Sequence, residues 1–117
     1  MKNNIYIYTY DEQEQLKDNI FSYSQIAKKS ALKALSADIN EMQEALELFV
    51  ISAIRIMNMQ RYLKDNEKKI NSICLEITTE AMETALKAND RLYKMIGDNE
   101  TSVKVDDVFD IWFSHFS

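Results

Sequence analysis

The segment LELFVISAIRIMNMQRYL, residues 46–63, is the most apolar part of the 117-residue chain and decides its fold. If this segment is helical, apolar side chains cover most of its circumference, so other segments must pack around it on most sides. We therefore predict a central helix over residues 39–63. Its core-facing side comprises Met42, Leu46, Phe49, Ala53, Ile56 and Met57.

The opposite side of this helix is a polar stripe with an apolar interruption. The polar positions are Asn40, Glu44, Glu47, Arg55 and Asn58. Ile51 falls in the middle of the stripe, with Leu48 and Ile54 on either side of it. An apolar patch on an otherwise polar face is typical of an interface. Two explanations stay open: another segment of the same chain covers the patch, or a partner or second copy does.

Two further long helices are predicted on either side of the central one. The first spans residues 11–35, and its apolar face contains small residues that allow a neighbouring helix to approach closely. That face consists of Leu16, Ile20, Tyr23, Ala27, Ala31 and Ala34. Asp38 is suited to cap the next helix. The third helix spans residues 67–96, with a bend expected at Thr78 and Thr79, and Gly97 marks its end.

The two ends of the chain are predicted to add an arm and a short helix to the three long helices. Residues 4–10, NIYIYTY, alternate like a short strand or extended arm, and residues 102–105, SVKV, are its best internal pairing partner. After a polar loop, a short aromatic helix begins at Asp106 and packs across the open end of the bundle. Its candidate binding residues are Phe109, Trp112, Phe113 and Phe116.

Composition agrees with an all-α fold. The chain has one glycine and no proline, whereas sandwiches, barrels and doubly wound folds need these residues at many turns. Short links between long helices force consecutive helices to pack antiparallel. We predict a single helical domain over residues 1–117, an antiparallel three-helix bundle with an extended N-terminal arm and a short C-terminal helix.

Charge and cysteine content limit the partners and the compartment. The net charge of −5 disfavours binding to nucleic acid or to anionic membranes. The single cysteine, Cys74, cannot form an internal disulfide, which favours a reducing compartment. The first residues lack the apolar region of a secretory signal, and no apolar run approaches the length of a membrane span. We expect a cytoplasmic protein.

No set of residues predicts catalysis. His115 is the only histidine, and nothing in the spacing brings it to a nucleophile such as Cys74. One histidine and one cysteine exclude a zinc site, and the glutamates at helical spacing lack the histidines of a ferritin-type centre. A single glycine leaves no phosphate-binding loop. We therefore expect no enzymatic activity, no cofactor and no metal.

The remaining features favour binding to another protein. The candidate residues are Tyr6, Tyr8, Leu48, Ile51, Ile54, Phe109, Trp112, Phe113 and Phe116. The first hypothesis is a small chaperone-like or adaptor protein that masks a surface of its partner. The alternatives are an inhibitor of the immunity or anti-defence type, encoded by a bacterium or phage, and a structural homo-oligomer, such as a homodimer, joined through Leu48, Ile51 and Ile54.

Overall fold

The computed structural model describes residues 9–116, which form five helices and contain no strand. These are α1 (Tyr10–Ser36), α2 (Ile39–Gln60), α3 (Asp65–Ile70), α4 (Ser72–Ile96) and α5 (Glu100–Phe116). The prediction of an all-α fold is confirmed. Within residues 9–116, four of these helices are long and α3 is short. The C-terminal helix α5 has 17 residues and is therefore longer than predicted.

Helix α1 begins with a capping box. The Thr9 hydroxyl accepts a hydrogen bond from the Glu12 backbone N–H at 3.2 Å, and the Glu12 carboxylate accepts one from the Thr9 N–H at 2.8 Å. Tyr10 is therefore the first residue of a helix and not the end of an extended arm. The rest of the predicted arm, including Tyr6 and Tyr8, lies outside the described residues.

Helices α1 and α2 are antiparallel and tightly linked. The Asp38 side chain accepts a hydrogen bond from the Glu41 backbone N–H and caps α2, as predicted. Near the other end of the pair, the Gln13 amide donates to the carbonyl of Tyr62 at 2.9 Å. The start of α1 therefore lies beside the end of α2, and the short link between Ser36 and Ile39 reverses the chain direction.

Helix α4 runs parallel to α1. Lys17 pairs with Glu67 just before α4 at 2.5 Å, and the Arg91 guanidinium near the end of α4 donates to the carbonyl of Leu35 near the end of α1. The ion pair raises the pKa of Lys17, mainly through hydrogen bonds to Glu14 and Glu67. These contacts at both ends fix the register of α1 against α4.

Helix α5 packs against α2 and α4, on the side of that pair opposite α1. Along α4 it is antiparallel, since Trp112 near its end reaches Thr79 and Asp106 near its start reaches Tyr93. The Tyr93 hydroxyl donates to the Asp106 carboxylate at 2.8 Å, which raises the pKa of Tyr93. The buried Asn89 amide donates to the same carboxylate at 3.2 Å. This polar network fixes α5 on α4.

The core agrees with the periodicity of the sequence. All six predicted core residues of α2 are buried, as are Ala27, Ala31 and Ala34 of α1. On α4 the buried alanines are Ala81, Ala85 and Ala88. Small side chains on both helices allow α1 and α4 to lie close together.

The single helix predicted over residues 67–96 is wrong, because Asn71 separates α3 from α4. Asn71 is buried, and its amide donates to the Gln60 side chain at 3.4 Å. Helix α4 continues without a break through Thr78 and Thr79. The Thr78 hydroxyl donates to the Cys74 carbonyl one turn earlier, so this β-branched residue fits within a continuous helix.

The predicted strand over residues 102–105, and hence its pairing with the N-terminal arm, is also wrong. These residues belong to the first turns of α5, which begins at Glu100 and not at Asp106. The Asn99 side chain caps this helix by accepting a hydrogen bond from the Ser102 N–H at 2.8 Å. Burial of Val105 against the bundle overrides its preference for strands. Gly97 ends α4 with a φ of 72°, as its position predicted.

Candidate protein-binding surface

The outer face of α2 carries an exposed apolar patch. Leu48, Ile51 and Ile54, called here the α2 patch, are 47%, 46% and 40% exposed. Neither α1 nor α5 covers them, although the opposite side of α2 is fully buried. Complete burial of a leucine or isoleucine contributes about 1.5–3 kcal/mol. A ligand that covered all three side chains would therefore gain roughly a few kcal/mol from apolar contact alone.

A groove between α1 and α2 borders the patch on one side. Its volume is about 500 Å³. Apolar atoms line most of it, and Lys29 and Lys33 stand at its α1 edge. The lining residues are Ile26, Lys29, Ser30, Lys33, Glu44, Ala45 and Leu48. This groove accepts an apolar side chain and offers two ammonium groups to an acidic neighbour.

A second groove of about 500 Å³ borders the patch on the α5 side. Its α2 edge includes Glu47 and Ile51, and Thr101 of α5 closes it. The Glu47 carboxylate accepts hydrogen bonds from the Thr101 hydroxyl at 2.8 Å and from Lys104 at 3.4 Å. The hydrogen bond to Glu47 raises the pKa of Lys104. Glu47 thus fixes the first turns of α5 beside the α2 patch.

Helix α5, which borders the α2 patch, carries one further exposed apolar residue. Because α5 is antiparallel to α4, and α4 is antiparallel to α2, helices α2 and α5 run parallel. Ile111 is 53% exposed and lies seven positions after Lys104, which is bonded to Glu47 of α2, so the two residues share one face of α5. The sequence alone did not identify Ile111, because the contact between Lys104 and Glu47 defines the face of α5 that borders α2.

Arg55 lies beside Ile54 at the C-terminal end of the patch and is held in place by α1. One guanidinium nitrogen donates to the Tyr23 hydroxyl at 2.8 Å, and the guanidinium carbon lies 5.5 Å from the centre of the Tyr23 ring. Such a cation–π contact stabilises one orientation of a long side chain. A fixed positive charge therefore flanks the patch four residues after Ile51.

The aromatic residues of α5 contribute mainly to the core. Trp112 is only 1% exposed, and its indole N–H donates to the Thr79 hydroxyl at 3.0 Å. Phe109 and Phe116 are partly buried against the core, whereas Phe113 is 37% exposed. Of the four predicted binding residues on this helix, Phe113 is the most accessible to a partner, and Trp112 is not accessible.

The described residues assemble no recognisable reaction centre. Within residues 9–116, no three His, Cys, Asp or Glu side chains are grouped so that they could hold a metal ion. His115 is exposed and stacks edge-on against Phe116. Cys74 is buried, and burial raises the pKa of its thiol, so the thiol stays protonated at neutral pH. None of the described helices has the length and apolar character needed to cross a membrane.

The buried thiol predicts a dependence of stability on alkaline pH. The pKa of Cys74 is higher in the folded chain than in the unfolded one. The thiol therefore contributes stability below its unfolded pKa of about 8.5, and this contribution is lost as the pH rises. Above that pH, the free energy of unfolding should fall by up to about 1.4 kcal/mol per pH unit more in the native sequence than in Cys74→Ala. Urea denaturation of both proteins between pH 7 and about pH 10 measures the difference. Equal slopes of the free energy of unfolding against pH would show that the thiol ionises as readily in the folded state as in the unfolded state.

Comparison with known proteins adds no relative: no family model, curated protein or solved structure matches this chain. The functional assignment therefore depends on the α2 patch and its two grooves. The sequence identified the patch by its helical spacing. It did not identify Lys29 and Lys33 as groove residues, because they border the patch only through the packing of α1 on α2.

Proposed function

We propose that this chain is a non-enzymatic protein-binding protein, chaperone-like or an adaptor, that masks an apolar surface of its partner with the α2 patch. The observation that carries the proposal is the exposure of three neighbouring aliphatic side chains, Leu48, Ile51 and Ile54, on a helix whose other side forms the core. Exposed apolar side chains that occur singly are ordinary, whereas a contiguous group beside grooves is characteristic of an interface.

The shape of the surface favours a helical partner. A single amphipathic helix that places apolar residues at positions i, i+3, i+4 and i+7 can fill a groove between two helices. The α1–α2 groove has an apolar floor that includes Ala45, and Lys29 and Lys33 lie along its edge. A partner helix with acidic residues next to its apolar face fits this arrangement. The buried single cysteine suits a reducing compartment, and we place the protein in the cytoplasm.

Chaperone-like or adaptor binding accounts for the surface better than inhibition of an enzyme. An inhibitor of the immunity type depends more on complementary charges and on exposed aromatic or arginine anchors for its affinity. The accessible centre of this surface is aliphatic, at Ile51, and the best aromatic anchor in the chain, Trp112, is buried. The inhibitor role therefore has less support.

Replacing Ile51 with aspartate should abolish partner capture without unfolding the chain. The charge would be placed in the middle of the apolar contact, where its desolvation is unfavourable. In the free protein Ile51 is exposed, so the free energy of unfolding should change by less than about 1 kcal/mol. The measurement is affinity capture from the native host by the tagged full chain, followed by quantification of each captured protein.

Ile73→Asp is the matched control for this experiment. Ile73 is an isoleucine that is 57% exposed, but it lies on α4, away from the α2 patch. A captured protein that is lost with Ile51→Asp and retained with Ile73→Asp supports the proposed surface. If both variants capture the same proteins as the native chain, the α2 patch is not the binding surface. Trp112→Ala is unsuitable here, because removing a core residue changes stability and binding together.

A further inference from the structure

The charges of α2 are segregated along its length. The N-terminal half carries only acidic residues, and the C-terminal end carries only basic ones. The acidic residues are Glu41, Glu44 and Glu47, and the basic ones are Arg55 and Arg61 at the end of the helix. A second α2 packed antiparallel on the first would therefore bring the acidic half of each helix beside the Arg55 end of the other. A parallel arrangement would bring like charges together.

The residues around Ile51 have the same symmetry. Glu47 and Arg55 are each four residues from Ile51, and Leu48 and Ile54 are each three residues from it. Glu47, Ile51 and Arg55 form one i, i+4, i+8 row on the surface of α2. In the commonest class of helix packing, such rows from two helices lie side by side. In an antiparallel pair this places Ile51 against Ile51 and Glu47 against Arg55, twice.

We infer that the α2 patch is covered by the α2 patch of a second copy of this chain, in an antiparallel pair about Ile51. Each Glu47 then lies against Arg55 of the second copy. A carboxylate accepts more hydrogen bonds than the two that Glu47 receives from Thr101 and Lys104. Arg55 gives one nitrogen to Tyr23 and has further N–H groups for a carboxylate.

This inference rests on the proposed protein-binding role of the α2 patch and names a partner for it. Because the same side chains, above all Ile51, would meet any other helix, the dimer and a complex with a different protein exclude each other. A dimer of this kind protects the patch until another helix displaces the second copy. The contact uses one helix from each chain and is small, so we expect a dissociation constant on the order of 10 μM.

Disulfide crosslinking tests the two-fold arrangement directly. Only a residue on a two-fold axis meets its own copy, so Ile51→Cys in a Cys74→Ala background should form a disulfide-linked dimer under mild oxidation. Ile73→Cys in the same background is the control and should stay monomeric, since Ile73 is more exposed than Ile51 but lies on α4. Equal crosslinking of the two variants, or none in either, would overturn the inference.

Mixed crosslinking tests the direction of the pair. When Glu47→Cys and Arg55→Cys chains, each lacking Cys74, are combined and oxidised, the antiparallel pair should give mainly the mixed dimer. A parallel pair would give the two unmixed dimers, and that result would contradict the inference. Tagging one chain makes the three products separable by mass.

Light scattering separates this inference from the wider binding role. The native chain should show twice its monomer mass at high concentration, and Ile51→Asp should raise the dissociation constant by about 100-fold. A native chain that stays monomeric, but whose Ile51→Asp variant loses host capture, overturns the dimer and leaves the binding role standing. A dimer that captures no other protein supports the pair and overturns heterologous binding.

If removal of residues 1–8 converts a monomer into a dimer, the chain's own N-terminal residues cover the patch, and the inference is wrong.

Discussion

Replacing Trp112 with alanine is expected to lower the free energy of unfolding by about 3–5 kcal/mol. The indole is 1% exposed, the largest of the fully buried side chains, and it lies where α5 packs against α2 and α4. Its removal leaves a cavity, because helices that are fixed elsewhere relax only partially. The Thr79 hydroxyl would also lose the indole N–H that donates to it at 3.0 Å. Since small domains have a total stability of about 5–15 kcal/mol, this change approaches complete loss of the fold.

Urea denaturation followed by circular dichroism measures this effect, and two variants separate its causes. Phe113→Ala, one residue further along α5, removes a more exposed ring whose centroid lies 4.7 Å from that of Phe109, and should cost about 1–2 kcal/mol, less than Trp112→Ala. Trp112→Phe keeps much of the apolar volume but removes the hydrogen bond, so its effect should lie between the other two. If Trp112→Ala were as mild as Phe113→Ala, the indole would be a surface residue. The sequence-based interpretation of Trp112 as a binding residue would then stand.

The sequence was sufficient to predict features that depend on one helix at a time. The core-facing side of α2, from Met42 to Met57, follows from a 3.6-residue period that every long helix shares. The cap at Asp38 and the helix end at Gly97 depend on local backbone chemistry, which the residue types at these positions indicate. Other local features were missed, because neither the helix break at Asn71 nor the cap at Asn99 was recognised.

Features that depend on two helices were not predicted. Val105 favours a strand by its own propensity, but its burial against the bundle selects a helix. Aromatic residues serve equally as core and as binding anchors, so only the contact with Thr79 assigns Trp112 to the core. In the candidate site, Ile51 was found from its own helix. Ile111 was missed because the face of α5 that borders α2 is defined by the bond between Lys104 and Glu47.

Because α1 and α4 pack closely, a larger side chain at a buried position between them is expected to destabilise the fold, even when it is more apolar. Replacing Ala31 with leucine should lower the free energy of unfolding by about 2–3 kcal/mol, although leucine is the more apolar residue. Ala31 is 0% exposed. Since α1 and α4 run parallel and Ser24 lies beside Cys74, we expect the buried Ala31 to lie close to Ala81, seven positions further along each helix. Three additional carbons at this point force the two helices apart or force strained rotamers.

The neighbouring residue, Leu32, provides the control, because its replacement by alanine shortens an exposed side chain, whereas Ala31→Leu enlarges a buried one. Leu32 is 51% exposed, so Leu32→Ala should change the free energy of unfolding by less than about 1 kcal/mol, although it removes the same three carbons. Ala31→Ser adds only a hydroxyl, which can donate to the carbonyl one turn earlier as Ser30 does, and should cost less than Ala31→Leu. Denaturation curves of the three variants give the order of their stabilities. If Ala31→Leu stabilised the chain, a cavity would separate α1 and α4 at Ala31, and the close packing inferred from the alanines would be wrong.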